Sequence, residues 1–287
     1  MNGGKVMITS KTKKIGILGW PLGHSLSPLM HNAAFTALDL DYVYVPLPVQ
    51  PENLAQAVAG LKAMEFTGVN VTIPHKVAIM SYLDEIDPSA QFVGAVNTIL
   101  IKEGKCIGYN TDAQGFIQSL TRRNVTIRGK KAVVMGAGGA ARAVASGLIQ
   151  NGIQQITIGT RNSLKAQGFT GFFPNFKNLL GCNWRDSTFT SQVKECDILI
   201  NSTPIGMSAN EKEELPILWE NVNKDATICD LIYNPPMTAF LNSAQIRGYK
   251  IINGAGMLVE QGALAFELWT DKQAPRTIMS NIVSKYM

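Results

Sequence analysis

The clearest indication of a ligand site in this sequence is a glycine-rich turn between an apolar strand and a helix of small residues. Gly136, Gly138 and Ala141 fit the spacing G-x-G-x-x-(G/A) directly after the apolar run Ala132 to Met135. The first glycine permits a tight turn, the second lets backbone approach a pyrophosphate, and the small third residue lets the helix pack closely. The helix N-terminus then offers N–H donors to a phosphate. The pattern predicts a dinucleotide site formed by Gly136, Ala137, Gly138, Gly139 and Ala140, although the string alone would also suit a tight turn that binds nothing.

The end of the next strand, Gln155 to Arg161, distinguishes between the two nicotinamide dinucleotides. An NAD site has an Asp or Glu here to bind the ribose 2′-hydroxyl, whereas this chain has Thr160, Arg161 and Asn162, with Lys165 shortly after and no acid nearby. The planar donors of Arg161 suit a 2′-phosphate, and the other three side chains could add hydrogen bonds or charge. The pattern predicts NADP; a solvated basic strand end is the alternative.

A second group of polar side chains follows the strand Gly68 to Ile73. Asn70 and Thr72 lie on one face of that strand because side chains alternate, and Lys76 comes just beyond its carboxyl end. Ligands of open parallel sheets gather at such ends. A lysine in a loop is usually solvated, so this group becomes informative only together with other polar residues in equivalent places.

The elements that must position these residues alternate along the chain. Apolar, β-branched runs alternate with helical patterns from Ile15 onward, which predicts an α/β protein with parallel sheets covered by helices. Helices are expected to begin at Pro28, Pro51 and Pro74. Predicted strands are Lys14 to Gly19, Asp41 to Leu47, Gly68 to Ile73, Asn97 to Ile101 with a hairpin partner around Cys106 to Tyr109, then Ala132 to Met135, Gln155 to Arg161, Cys196 to Thr203, Ala226 to Tyr233 and Tyr249 to Gly254.

The second half of the chain is expected to form a six-stranded, doubly wound sheet of the Rossmann type. The stretch Gly168 to Ser191 has weak periodicity and receives no assignment.

Bulk properties exclude several classes of protein. The net charge of +5 and pI of about 9.0 arise from scattered basic residues without a stripe or tail, so small anionic ligands explain them as well as nucleic acid would. No apolar run approaches the length of a membrane span and the N-terminus lacks a signal peptide, which predicts a cytoplasmic protein.

With only three histidines and no zinc spacing, no metal is expected, and the four cysteines, Cys106, Cys182, Cys196 and Cys229, are expected to be reduced thiols.

Several ordered strings resemble the signatures of the shikimate dehydrogenase family. They are HSLSPLMHN (24–32), NVTIPHK (70–76), GAVNT (94–98) and GYNTDAQG (108–115). The resemblance continues through GAGGAA, NSTPIGM (201–207), DLIYNPPMTAFL (230–241) and NGAGMLVEQGALAFELW (253–269), so it covers nearly the whole chain. It implies an NADP-dependent reduction of 3-dehydroshikimate to shikimate, a step towards chorismate and the aromatic amino acids.

The resemblance also implies a role for individual residues. Lys76 and Asp112 would be the catalytic pair, and Ser25 and Ser27 would hold the substrate carboxylate. Asn70, Thr72, Asn97 and Gln261 would bind ring hydroxyls, while Tyr233 would help to position the acid. Thr203, Gly254 and Met257 would contact the cofactor. Taken singly, some of these residues have simpler explanations, because Ser25 and Ser27 could cap the helix at Pro28 and Asn97 could bond its own backbone.

The implied chemistry suits these residue types. Reduction of a ring ketone develops alkoxide charge, which a cation or proton donor must meet. Lys76 can supply both, and Asp112 would orient and balance its ammonium group.

The resemblance implies a substrate domain of residues 1–112 and 254–287, a dinucleotide domain of residues 113–253, and both reactants held between them. NADP-using members often have Asn-Arg-Thr where this chain has Thr160-Arg161-Asn162, and Lys165 replaces a second arginine, which weakens the cofactor prediction.

The nearest alternative is a quinate/shikimate dehydrogenase using NAD or NADP. A dinucleotide-binding sensor without catalysis is a further alternative, against which the intact Lys76 and Asp112 argue. The expected partner is the small acid, without nucleic acid or membrane, for a monomer or homodimer.

Overall fold

A computed structural model describes residues 8–23, 25–207 and 213–287. His24, which opens the first family-like string, lies outside the described residues. The chain divides into two compact units. The first comprises the chain up to Thr111 together with Gln261–Tyr286, and the second comprises Asp112–Glu260.

The divisions between the units differ slightly from the predicted 112/113 and 253/254. Asp112 and residues 254–260 belong to the second unit rather than to the first. The backbone explains the later division, because the Gly254 N–H donates to the Ile232 carbonyl at 3.0 Å. A side chain at position 254 would collide with the Leu231 carbonyl. The start of the last long helix is therefore anchored within the second unit.

Strands and helices alternate as the sequence predicts. The strands are β1 (Lys13–Gly19), β2 (Tyr42–Pro48), β3 (Gly68–Val71), β4 (Glu85–Ile86), β5 (Thr98–Lys102), β6 (Lys105–Tyr109), β7 (Lys131–Met135), β8 (Gln155–Thr160), β9 (Leu179–Asn183), β10 (Ile198–Asn201), β11 (Thr227–Asp230) and β12 (Lys250–Ile252). The α-helices are α1 (Ser27–Ala37), α2 (Leu54–Ala63), α3 (Pro88–Val93), α4 (Asp112–Thr121), α5 (Gly139–Gln150), α6 (Ser163–Thr170), α7 (Ser187–Glu195), α8 (Ala239–Ile246), α9 (Ala255–Thr270) and α10 (Arg276–Tyr286).

The first unit contains a mixed sheet in the order β2-β1-β3-β5-β6-β4. Strand β1 pairs in parallel with β2 and β3, and β4 pairs in parallel with β6. The hairpin β5–β6 was predicted, and both it and the β3–β5 pair are antiparallel. The parallel pairs of β1 and β4 agree with the predicted α/β fold, and the predicted hairpin accounts for the antiparallel pairs of this sheet.

The prediction of a helix start at Pro74 is wrong. Turns follow Pro74, and only a short 3-10 helix, Ala78–Tyr82, precedes β4. Ile79 is the one buried residue of that segment, so it lacks the apolar face that stabilises a longer helix.

An aromatic cluster fills the first unit between α1, β2 and α9. The His31 ring is fully buried and stacks on Tyr44 with ring centres 4.5 Å apart. Phe35, Phe266 and Trp269 complete the cluster around it. Neither His31 ring nitrogen has a hydrogen-bond partner in the part of the chain that the structure describes. Burial lowers the pKa of His31 to about 3, so the ring is neutral and serves as an aromatic surface.

The second unit contains an entirely parallel sheet in the order β12-β11-β10-β7-β8-β9. This is the doubly wound arrangement in which ligands bind where the strand order reverses, next to the first strand. Here that place lies beside β7 and β10, at their carboxyl ends. The predicted six-stranded sheet is confirmed among the described residues, and its sixth strand, β9, lies in the stretch that the sequence left unassigned.

Three further observations concern the described residues only. None of their helices combines the length and apolarity needed to cross a bilayer. They contain no group of three or more His, Cys, Asp or Glu side chains that could hold a metal ion. All four cysteines are free and buried: Cys106 in the first unit and Cys182, Cys196 and Cys229 in the second.

We expect replacement of His31 by leucine to reduce the acid sensitivity of the fold. The unfolded chain takes up a proton on His31 below pH 6.5, whereas the folded chain does so only near pH 3, so wild-type stability falls as the pH drops between these values. This residue alone contributes up to about 1.4 kcal/mol per pH unit in that window. Urea unfolding at pH 7 and pH 5 should show a smaller loss for His31→Leu than for wild type.

The matched control for this measurement is Phe35→Leu. It thins the same aromatic cluster without removing a titratable group. Phe35→Leu should show the pH dependence of wild type, and the explanation fails if His31→Leu shows it as well.

Candidate active site

The glycine turn between β7 and α5 has the shape that a dinucleotide phosphate requires. Gly136 has a φ of +111°, and a Cβ there would lie 2.7 Å from the Ser202 Oγ, so both conformation and space demand glycine. A Cβ on Gly138 or Gly139 would meet nothing within 4 Å, so open space lies beside their backbone. Ala141 is fully buried in the core between helix and sheet. Each position therefore behaves as the motif predicts.

The N-terminus of α5 is suited to an anion. Gly138 is its N-cap residue and makes no side-chain capping bond, and the first turn contains no acidic residue. The first N–H groups of the helix are directed away from the helix body, with exposed residues Gly138, Gly139 and Ala140 around them. A phosphate placed there would receive backbone hydrogen bonds and the positive end of the helix dipole.

The four residues predicted to select NADP follow β8, but they have different local roles. The Thr160 Oγ1 donates to the Asn162 carbonyl at 2.6 Å, and the Asn162 Oδ1 caps helix α6 by accepting from the Leu164 and Lys165 N–H groups. Thr160 and Asn162 thus shape the turn.

Arg161 and Lys165 present positive charge at this strand end. The Arg161 side chain is 72% exposed and lies 3.9 Å from Glu213, and Lys165 is exposed. An ion pair this long and exposed stabilises little. Arg161 can therefore reorient towards a phosphate at small cost.

Asp230 holds together the two loops that carry Thr203 and Tyr233. Its Oδ1 accepts from the Asn201 Nδ2 and from the Ile232 N–H, each at 3.0 Å, and its Oδ2 accepts from the Thr238 hydroxyl at 2.7 Å. Burial raises the pKa of Asp230 to about 6, although these three donors oppose the rise. Sequence reasoning missed this role, although the position of Asp230 at a strand end inside a family-like string was a usable signal.

The remaining predicted cofactor residues cluster near the same strand ends. Thr203 is fixed by Asn201, whose Oδ1 accepts from the Thr203 N–H at 2.9 Å and from its hydroxyl at 2.7 Å. Gly254 packs against the chain that follows β11, and Met257 is half-buried against the core of the second unit. Tyr233 is half-buried, and burial raises its pKa.

In the first unit, buried amide side chains lie close together where β3 ends and β5 begins. The Asn70 Nδ2 donates to the Thr98 Oγ1 at 3.0 Å and to the Asn97 carbonyl at 3.3 Å. The Asn97 Nδ2 donates to the Thr111 Oγ1 at 2.8 Å and to the Gln261 Oε1 at 3.4 Å. The structure thus brings together three predicted hydroxyl-binding residues, Asn70, Asn97 and Gln261. It adds Thr98 and Thr111, which sequence reasoning had not assigned a role.

The two serines lie at the start of α1. The Ser25 Oγ accepts from the Ser27 N–H at 3.3 Å, and Ser27 is buried. The N-cap residue is Leu26, which makes no capping bond, and the first turn has no acid. Ser25 therefore satisfies one N–H group of the first turn, as the simpler explanation expects, although the N-cap position itself is Leu26. Without an acid in its first turn, the helix start still favours a carboxylate.

The two proposed catalytic residues lie in different units. Lys76 is half-buried in the turn that follows β3, and its carbonyl accepts from the Val96 N–H at 2.8 Å. Asp112 is buried at the first position of α4, directly after Thr111 in the chain. Thr72 is half-buried, and its N–H donates to the Leu18 carbonyl at 2.9 Å.

A doubly wound sheet with this glycine turn is typical of proteins that bind a dinucleotide at the carboxyl ends of their strands, and the relatives described below are oxidoreductases of this class. Family models agree along the chain: residues 17–99 match the shikimate dehydrogenase substrate binding domain, residues 119–239 match shikimate / quinate 5-dehydrogenase, and residues 254–283 match the shikimate 5′-dehydrogenase C-terminal domain. The chain belongs to the shikimate dehydrogenase family.

Individual relatives support the same assignment. The chain is 43% identical over 285 residues to "Shikimate dehydrogenase (NADP(+))" of Desulforamulus reducens, covering 98% of both chains. Among solved structures it is similar to shikimate 5-dehydrogenase of Thermus thermophilus in complex with NADP(H) and shikimate, with 34% identity, a TM-score of 0.86 and coverage of 96% and 100%. It is also similar to the Listeria monocytogenes enzyme in complex with shikimate and NAD, with 35% identity, a TM-score of 0.91 and coverage of 96% and 97%.

We expect Asp230→Ala to destabilise the second unit by roughly 3 kcal/mol, because it leaves three donors without their buried acceptor. Urea unfolding at pH 7 measures the effect. The exposed Asp225→Ala is the matched control and should change stability by less than about 0.5 kcal/mol. Equal stability of the two variants would show that the Asp230 network does not hold these loops.

Proposed function

We propose that this chain catalyses the reversible, NADPH-dependent reduction of 3-dehydroshikimate to shikimate, in the pathway to chorismate and the aromatic amino acids. The observation that carries the proposal is the joined set of Asn70, Asn97 and Gln261, which offers amide groups for ring hydroxyls within a fold of this family. Relatives named NADP-dependent shikimate dehydrogenase match the chain over nearly its full length, which supports both substrate and cofactor.

In the proposed substrate site each group meets a feature of matching chemistry. Ser25 and Ser27 bind the carboxylate at the start of α1, where the helix dipole favours negative charge. Asn70, Thr72, Asn97 and Gln261 bind ring hydroxyls, and Tyr233 helps to position the acid.

The proposed chemistry needs a proton and a positive charge beside the ketone oxygen. Lys76 supplies both, and its ammonium group donates a proton to the ketone oxygen as alkoxide charge develops. Asp112 orients that ammonium group and balances its charge. Because Lys76 supplies the proton, the reacting oxygen does not need a water molecule as its proton donor.

The residues present fit an NADP cofactor. The open backbone at Gly138 and Gly139 and the uncapped start of α5 suit its pyrophosphate, and Arg161 with Lys165 suits a 2′-phosphate. Ala137 and Ala140 complete the turn, while Thr160 and Asn162 hold Arg161 in place. Thr203, Gly254 and Met257 are proposed to contact its nicotinamide end. NADPH supplies the hydride when it is bound.

The main alternative is a dehydrogenase that acts on quinate as well. The family model that matches residues 119–239 bears both substrate names, so it does not separate them. The test is an assay of the purified chain that crosses shikimate and quinate with NADP and NAD, followed by the absorbance of reduced nicotinamide. Faster turnover of quinate, or no turnover of shikimate, would overturn the proposal. A cytoplasmic location and the choice between monomer and homodimer stay predictions.

We expect Arg161→Ala to raise the KM for NADP by roughly 10-fold to 100-fold, because a charge-assisted hydrogen bond to the 2′-phosphate is lost. The KM for NAD, which lacks that phosphate, should change by less than about twofold. Steady-state kinetics with both cofactors provides the measurement.

The control for this variant is Arg123→Ala. Arg123 is also exposed but precedes β7, on the side of the sheet away from the carboxyl ends of its strands. If the two variants raise the KM for NADP equally, Arg161 does not bind the 2′-phosphate of NADP.

We expect Lys76→Ala to lower kcat with shikimate by roughly 100-fold to 10,000-fold, the usual contribution of a positioned proton donor. Circular dichroism and the urea midpoint should show that the variant is folded. Lys102→Ala, an exposed lysine at the end of β5, should retain wild-type turnover. Full activity of a folded Lys76→Ala protein is incompatible with the mechanism.

A further inference from the structure

The buried polar side chains of the first unit form one hydrogen-bonded chain with a defined direction. Its fixed end is the Thr111 backbone N–H, which donates to the Asn97 Oδ1 at 2.8 Å. A backbone N–H can only donate, so this bond identifies which atom of the Asn97 amide is the oxygen. The Thr98 hydroxyl donates to the same Oδ1 at 3.1 Å.

The direction continues from Thr98 to Asn70. The Thr98 proton can point to the Asn97 Oδ1 or to the Thr111 Oγ1, and in either case its oxygen accepts from the Asn70 Nδ2 at 3.0 Å. The second Asn70 N–H donates to the Asn97 carbonyl at 3.3 Å. Both N–H groups of Asn70 are therefore used within the protein, and its Oδ1 faces the other way.

Tyr44 completes the chain. Its hydroxyl donates to the Asn70 Oδ1 at 2.7 Å, so the Tyr44 proton is directed towards Asn70. Ser27, which is proposed to bind the substrate carboxylate, lies close to the same hydroxyl.

The Tyr44 ring is well placed to hold that hydroxyl still. Tyr44 is 2% exposed, and its ring stacks on the neutral His31 ring at an interplanar angle of 1°. Burial raises the pKa of Tyr44 well above its ordinary value, so the proton that it gives to Asn70 is always present.

We propose that Tyr44 is a positioning residue that orients Asn70 so that the amide presents a single acceptor lone pair to the substrate. An amide oxygen has two lone pairs, and Tyr44 occupies one of them. Asn70 therefore accepts a hydrogen bond from a ring hydroxyl and discriminates against a carbonyl at that ring position. The inference rests on the proposed function, because it concerns recognition of the same substrate.

The test is Tyr44→Phe, which removes only the hydroxyl oxygen. The Asn70 amide keeps its two N–H bonds but loses the donor that fixes its Oδ1, so the KM for shikimate should rise roughly tenfold. The kcat at saturation and the KM for NADP should each change by less than about twofold, because neither Lys76 nor the second unit is touched. A merely structural role would lower stability without producing this split.

Tyr42→Phe is the matched control on the same strand. Tyr42 is also buried, but its hydroxyl meets the Lys13 ammonium and the Trp269 carbonyl rather than a proposed substrate residue. It should leave the KM for shikimate unchanged. Thr98→Val tests the other bond to Asn70 with an isosteric side chain and should reproduce the effect of Tyr44→Phe, which keeps the test available if one variant fails to fold.

The outcomes separate this inference from the proposed function. If wild type does not turn over shikimate with NADP, the proposed function fails. If wild type is active and folded Tyr44→Phe keeps the KM of Tyr42→Phe, the positioning role is refuted. A raised KM in folded Tyr44→Phe, with the kcat and the KM for NADP preserved, supports it; Thr98→Val takes its place only if Tyr44→Phe does not fold.

Discussion

The hydrogen bond from the Thr111 backbone to Asn97 is the contact on which the polar interior of the first unit depends. An amide buried without partners costs more free energy than its hydrogen bonds return, so such groups persist only when each donor faces an acceptor. The Thr111 N–H orients the Asn97 amide, and the Asn97 carbonyl orients the Asn70 amide, whose Oδ1 then accepts from Tyr44. Recognition of a small polar ring can then be built from residues whose positions are already settled.

In the second unit, the proposed cofactor phosphate meets backbone N–H groups rather than side chains. Gly136 makes a turn that a side chain would obstruct, and Gly138 and Gly139 leave open space beside their backbone. Asp230 secures the neighbouring loops from beneath. The contrast follows from the ligands: a phosphate accepts hydrogen bonds from several directions, whereas a hydroxyl-bearing ring is distinguished by individual donors and acceptors.

Much of this organisation could be predicted from the sequence, and the exceptions have physical causes. The glycine turn, the α/β alternation and the hairpin after Asn97 depend on local patterns, which a sequence displays directly. Strand β9 was missed because, as an edge strand, it buries only Leu179 and Cys182 and so lacks a continuous apolar run. The helix expected at Pro74 fails for the opposite reason, since a favourable first residue cannot replace an apolar face. The proposed role of Tyr44 depends on β2 and β3 both flanking β1, and no local pattern indicates such neighbours.

The distribution of the buried cysteines gives the chain a built-in reporter of local opening. Cys106 is the single thiol of the first unit among the described residues, while the second unit holds three, and burial raises the pKa of Cys182 to about 11 and of Cys196 and Cys229 to about 12. A buried thiol reacts with an alkylating reagent only after the surrounding core has opened. Mass-resolved alkylation would therefore time the breathing of each unit separately in the unmodified protein, without the introduction of a label.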